Sequence, residues 1–154
     1  MNSAQGYLVD TNILLRISQQ NDPQNEFLGS VLRTLETQRS SLYYSLQNVA
    51  EFWNVCTRPT DRNGYGLSIA ETDRSVRAIE HRMIYLPDNL QVYSIWRQLV
   101  IAHNVKGAKV HDARLAAIMQ AYGLVNILTL NQPDFLRYPG VQAVHPDQIQ
   151  PSPR

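Results

Sequence analysis

Five short strand-like runs punctuate this chain, and the stretches between them decide the fold. Tyr7–Val9, Ser41–Tyr44, Ile84–Leu86, Val125–Leu130 and Val141–Val144 have strand lengths, and apolar residues recur between them at helical spacing. Strands alternating with helices predict a mostly parallel sheet with helices on both faces, an α/β three-layer arrangement. The chain's 154 residues suffice for a single domain with its own core, and 44% hydrophobic against 18% charged residues excludes a disordered polymer.

The helical segments follow from spacing and from stop signals. Ile13, Leu14 and Leu15 continue from the first strand to a polar break at Gln19–Asn25, after which Phe27, Val31, Leu32 and Leu35 mark a helix to about Gln38. Ser45 can cap a helix running to about Thr57 and stopped by Pro59, with Leu46, Val49, Ala50 and Trp53 as its apolar stripe. On that stripe's geometry Glu51 falls on the opposite side, where a solvated glutamate is the ordinary expectation. Ser68-Ile-Ala-Glu71 is a capping box, opening a helix to about Met83. Val92, Ile95, Trp96, Leu99 and His103 form the next apolar stripe, with His103 expected as a core or helix-end histidine. A helix from His111 to Tyr122 ends at Gly123, and residues 146–154 read as a tail.

Charge and cysteine usage narrow the setting. A net charge of +1 argues against a general polyanion binder but permits a site-specific one. The single cysteine, Cys56, allows no internal disulfide and fits a reducing cytosol. Met1–Gly6 has no basic start, and no apolar run approaches a membrane span, so a cytoplasmic protein without a membrane segment is expected.

Acidic residues stand where a core should be. Asp10 ends a buried strand, where a carboxylate is costly unless compensated and where open α/β sheets bind ligands. Aspartate also caps helices well, so this stretch alone leaves both readings open. Asp112 lies three, four and seven residues before Leu115, Ala116 and Met119, on the core-facing side, unless it is simply a first-turn aspartate favoured by the helix dipole. Asp134 follows the fourth strand, and Glu51 sits on the helix behind the second. Parallel topology gathers such positions at one sheet edge. Carboxylates so gathered repel unless a cation joins them, and oxygen-only donors favour magnesium or manganese. No Cys or His pair has zinc spacing. An ion held by carboxylates suits phosphodiester hydrolysis. No Gly-rich phosphate loop with Lys and no Gly-x-Ser-x-Gly turn is present. Arg74, Arg77 and His81 share a helix face that is either solvated or available to RNA phosphates.

Leu8-Val-Asp-Thr-Asn12, Asn48-Val-Ala-Glu-Phe-Trp53, His111-Asp-Ala-Arg-Leu-Ala116 and Leu128-Thr-Leu-Asn-Gln-Pro-Asp-Phe135 together resemble the PIN-domain nucleases. They look most like the VapC-type toxins of bacterial toxin–antitoxin pairs, over roughly residues 7–144. The resemblance implies a five-stranded parallel sheet between helices and a Mg- or Mn-dependent endoribonuclease. It carries the family's acids, as catalytic residues and metal ligands, onto Asp10, Glu51, Asp112 and Asp134. Thr11, Asn12, Thr129 and Asn131 match polar positions that support them. It also implies a small antitoxin partner and a homodimer. Cleavage by a water activated on the metal needs no ribose 2′-hydroxyl, so the expected products are a 5′-phosphate and a 3′-hydroxyl.

Other readings fit less well. A receiver-type phosphoacceptor domain needs an adjacent acidic pair and a Lys after the last strand, and Asp10 is followed by Thr11 and Asn12. A haloacid-dehalogenase-like phosphatase needs a second Asp where Asn12 stands. A non-catalytic PIN-fold binding module would lack acids that are all here. A housekeeping RNA-processing nuclease shares every feature except the antitoxin.

Overall fold

A computed structural model describes residues 5–151. Its sheet is built from β1 (Gly6–Val9), β2 (Ser41–Ser45), β3 (Ile84–Leu86), β4 (Asn126–Leu128) and β5 (Gln142–Val144), in the order β3-β2-β1-β4-β5. Every neighbouring pair is parallel, so the expected mostly parallel sheet is parallel throughout. β1 lies at the centre, with Leu8 opposite Tyr43 on one side and Ile127 on the other.

A central parallel strand is buried on both faces, which is why Tyr7–Val9 is apolar without alternation. The period of two then divides it between two cores. Tyr7 and Val9 pack with Leu14, Leu32, Leu35 and Phe52 on one face, while Leu8 packs with Leu115, Ile118, Ile127 and Phe135 on the other. The first core is covered by α1 (Thr11–Ile17), α2 (Asn25–Thr37), α3 (Leu46–Thr57) and α4 (Ile69–Arg82), the second by α5 (Leu90–Ala102) and α6 (Val110–Ala121). Ser68 and Glu71 form the expected capping box on α4. Gly123 takes φ +67° just past α6, the left-handed turn that glycine permits without strain.

The register of α3 corrects the expected stripe. Gln47, Asn48, Phe52 and Cys56 are its buried residues, whereas Leu46 is 52% exposed and Ala50 is exposed. Hydrophobicity alone ranks Leu46 above Gln47. Burial follows the hydrogen bonds instead, since the buried amide nitrogens of Gln47 and Asn48 both find partners across the sheet edge.

The segment expected to be a tail docks on the domain as far as it is described. Pro146 is buried, Ile149 packs on the first core, and Gln38 Nε2 donates to the Gln150 carbonyl at 2.9 Å. Residues 152–154 of that segment, and residues 1–4 of the expected leaderless start, lie outside the described residues. Among the described residues no helix is long and apolar enough to cross a membrane.

Candidate functional site

All four acids stand at the carboxyl edge of the sheet. Asp10 is the residue after β1, Glu51 lies in the second turn of α3 behind β2, Asp112 lies in the first turn of α6, and Asp134 lies in a short 3-10 turn, Gln132–Phe135, after β4. The Asp10 amide donates to the Leu128 carbonyl at 3.0 Å, which extends the β1–β4 pairing by one residue and fixes where the carboxylate emerges. Asp10 is both cap and site residue: it is the N-cap of α1, it accepts from the Thr11 amide at 2.8 Å, and it is only 9% exposed.

Two threonine hydroxyls aim the first two acids, and chemistry leaves each only one orientation. The Ser45 amide donates to Asn48 Oδ1 at 2.9 Å, so the Asn48 nitrogen must face Thr11. It donates to Thr11 Oγ1 at 3.2 Å, leaving the hydroxyl proton for Glu51 Oε2 at 2.9 Å. The Asn131 amide likewise donates to Thr129 Oγ1 at 3.0 Å, leaving that hydroxyl proton for Asp10 Oδ2 at 2.7 Å. Gln47, one helical turn before Glu51, donates through Nε2 to Glu51 Oε1 and to the His111 carbonyl, each at 2.8 Å. Both acceptors demand the amide nitrogen at that end. Gln47 therefore ties the glutamate of α3 to the start of α6, one residue from Asp112.

Electrostatics couple the four. Burial, opposed by the bonds from Thr129 and Thr11, raises the Asp10 pKa, and the charges of Glu51 and Asp134 add to the rise. Asp112 has no side-chain hydrogen-bond partner among the described residues, and its pKa climbs from an ordinary 3.8 to about 6. Desolvation is the first cause, followed by the negative charges of Asp134 and Asp10, with Lys109 opposing and Glu51 contributing. A carboxyl whose folded pKa is raised binds more protons folded than unfolded between the two values. Its stabilising contribution is present below about pH 4 and is lost as pH rises through about 6. In EDTA, wild-type stability minus that of Asp112→Asn should fall from pH 4 to pH 6.5 in chemical denaturation. A difference that is flat or rises with pH would contradict the Asp112 environment.

Lys109 Nζ donates to Asp134 Oδ1 at 2.8 Å, so the fourth acid is already paired with a cation. As they stand, no three acid, imidazole or thiol groups among the described residues are spaced to hold an ion together. Glu51 takes neutral partners and Asp134 a cationic one. The donor set itself suits a hard divalent cation: every donor is oxygen, Asp10 and Glu51 are held by second partners, and the unpartnered Asp112 carries the cost of an uncompensated charge. Cys56 is buried in the first core with its thiol pKa raised to about 11, outside this chemistry.

Sequence reasoning placed Asp10, Glu51, Asp112 and Asp134 at one edge, and Thr11 and Thr129 as their supports. Asn131 takes part through its backbone amide only, and Asn12 leaves Oδ1 buried without a partner. Glu51 is half-buried and doubly bonded rather than a free surface glutamate. Gln47 and Lys109 went unseen. Gln47 stands four residues before Glu51, a spacing that lets helix side chains meet, and that signal was available. His103 caps α5 and packs edge-on against Tyr138, a helix-end role. Arg77 pairs with Asp73 at 3.0 Å, and Arg74 lines a groove between α1 and α4 that includes Glu71 but not Asp10, Glu51, Asp112 or Asp134.

A family model described as the PIN domain matches residues 7–141. Among solved structures, VapBC2 from Rickettsia felis bound to a DNA fragment from its promoter superposes with a TM-score of 0.67 at 14% identity, covering 92% of this chain and 98% of that one. A toxin–antitoxin complex from Klebsiella pneumoniae gives 0.61 at 21% identity, covering 91% and 97%. VapC20 from Mycobacterium tuberculosis, a sarcin–ricin loop cleaving toxin, gives 0.58 at 15% identity, covering 79% and 86%. At such identities the likeness is one of fold. No curated protein matches the sequence significantly.

Proposed function

The chain belongs to the PIN-domain family, and from that premise we propose that it is a divalent-metal-dependent endoribonuclease, the toxin of a toxin–antitoxin pair. The observation that carries this reading is the convergence of Asp10, Glu51 and Asp112 at one sheet edge, with two of them aimed by threonine hydroxyls of fixed polarity. Asp10, Glu51 and Asp112 are the residues that would hold magnesium or manganese. Such an ion, when bound, neutralises the scissile phosphate and makes a water a better nucleophile.

The chain's own residues supply the rest. Thr129 keeps Asp10 Oδ2 in place, and Thr11 with Gln47 holds both Glu51 oxygens, so little reorganisation is left for the moment of reaction. Burial and the neighbouring negative charges disfavour the ionised form of Asp112, a cost that a bound cation would relieve. The groove lined by Leu46, Gln47, Ala50, Glu51, Asn54, His111 and Arg114, about 670 Å³, opens beside Glu51 and gives a strand of RNA room to approach. The solved neighbours support a small antitoxin as partner, since one is itself named as a toxin–antitoxin complex. We extend the same reading to a cytoplasmic homodimer.

A divalent ion that binds only the folded state raises melting temperature by mass action. Manganese titrated into EDTA-treated protein should raise the melting temperature progressively, and Asp112→Asn should melt higher without metal while responding less to it. Identical melting of the wild type in EDTA and in millimolar manganese would sink the metal reading.

A further inference from the structure

Lys109 breaks a local rule. It has helical backbone angles at the junction of a 3-10 turn with α6, near a helix start where a positive charge opposes the dipole, and it makes no cap bond. Its compensation lies across the site, in the 2.8 Å bond to Asp134 Oδ1. The four acids differ in their partners. Asp10 and Glu51 accept only from uncharged donors, Asp112 has no side-chain hydrogen-bond partner among the described residues, and Asp134 alone accepts from a cation. The 3-10 turn Gly107–Lys109 runs straight into α6, so the ammonium's anchor point is fixed relative to Asp112 three residues on. Its side chain stays 53% exposed, and with one N–H spent on Asp134 two donors remain toward solvent.

We propose that Lys109 is the built-in cation of the site: Asp134 is its counter-ion and not a ligand of the divalent ion, and the ammonium engages a phosphate of the bound RNA. This rests on the nuclease reading above, and it assigns the ion to Asp10, Glu51 and Asp112 alone. A tethered ammonium beside the ion neutralises phosphate charge without the dehydration cost of a second metal. Breaking the local preference at the start of α6 is then the cost of a functional cation.

The test separates metal binding from RNA binding. Manganese affinity is read from the electron paramagnetic resonance of the free ion. RNA affinity is read by anisotropy of a short, labelled, mixed-sequence single strand in EDTA. Lys109→Met should bind manganese more tightly than wild type and RNA about tenfold more weakly, the worth of one charged hydrogen bond. The double variant Lys109→Met with Asp134→Asn should bind manganese within about threefold of wild type, because removing an ion pair whole changes little net charge. Asp112→Asn, tested alongside, should lose more than about tenfold. A double variant that loses manganese as severely as Asp112→Asn makes Asp134 a ligand and overturns the proposal. Wild-type RNA affinity in Lys109→Met overturns it too. A wild-type protein that takes up no manganese overturns the nuclease reading, and the role of Lys109 with it.

Discussion

Asp112→Asn is expected to leave a folded protein whose metal-dependent RNA cleavage is lower by on the order of a thousandfold. The substitution keeps the side chain's shape and removes its charge. Asp112 has no side-chain hydrogen-bond partner among the described residues, so no bond within the protein is broken. Desolvation and three neighbouring carboxylates already hold its charged form at a disadvantage, so the metal-free variant should be the more stable one. Stability and activity then move in opposite directions, which a general unfolding effect cannot produce. Asp10→Asn should cost a comparable factor, and the double variant little more than either alone, because acids that hold one ion act as a unit. Full cleavage by Asp112→Asn in magnesium, with a matched preparation free of other nucleases, would remove the acids from the mechanism.

The second large effect is on the host. Expression of the wild-type chain alone should arrest bacterial growth, and Asp10→Asn should restore it. Asp10 serves this better than a distant position because its carboxylate is tied to two elements, by the Thr11 amide that it caps at the start of α1 and by the Thr129 hydroxyl after β4. The asparagine variant keeps one acceptor oxygen, enough for the Thr11 amide or the Thr129 hydroxyl but not for both, and loses the charge. Colony counts after induction measure the arrest, and co-expression of the proposed antitoxin should relieve it. Harmless expression of abundant, cleavage-competent wild type would shift the reading to a housekeeping RNA-processing nuclease.

What was legible in the sequence was whatever a single element decides for itself. Tyr7–Val9 could be read because both its faces are apolar, and Asp112 because it precedes Leu115, Ala116 and Met119 at helical spacing. Parallel topology then placed four acids at one edge without further information. Polar burial was not legible. A hydrophobicity stripe puts Leu46 inside and Gln47 outside, yet Gln47 is buried because Glu51 and the His111 carbonyl offer it two acceptors, and His111 lies 64 positions away in sequence. The same blindness hid Lys109, whose partner is 25 residues distant, and the docking of Ile149 on a core that begins at Tyr7. Local patterns specify elements, while charged and amide side chains answer to neighbours that only the fold supplies.

The central claim is that these acids direct a metal-assisted water at phosphorus, with no part for the ribose hydroxyl. The chemistry of the cut ends tests that most directly. RNA cleaved by the purified protein in magnesium should carry 5′-phosphate and 3′-hydroxyl termini, detected by direct ligation and by resistance of the 5′ ends to kinase labelling before phosphatase treatment. EDTA or Asp10→Asn should abolish those ends. Termini bearing 2′,3′-cyclic phosphate and 5′-hydroxyl, formed equally well in EDTA, would contradict the account.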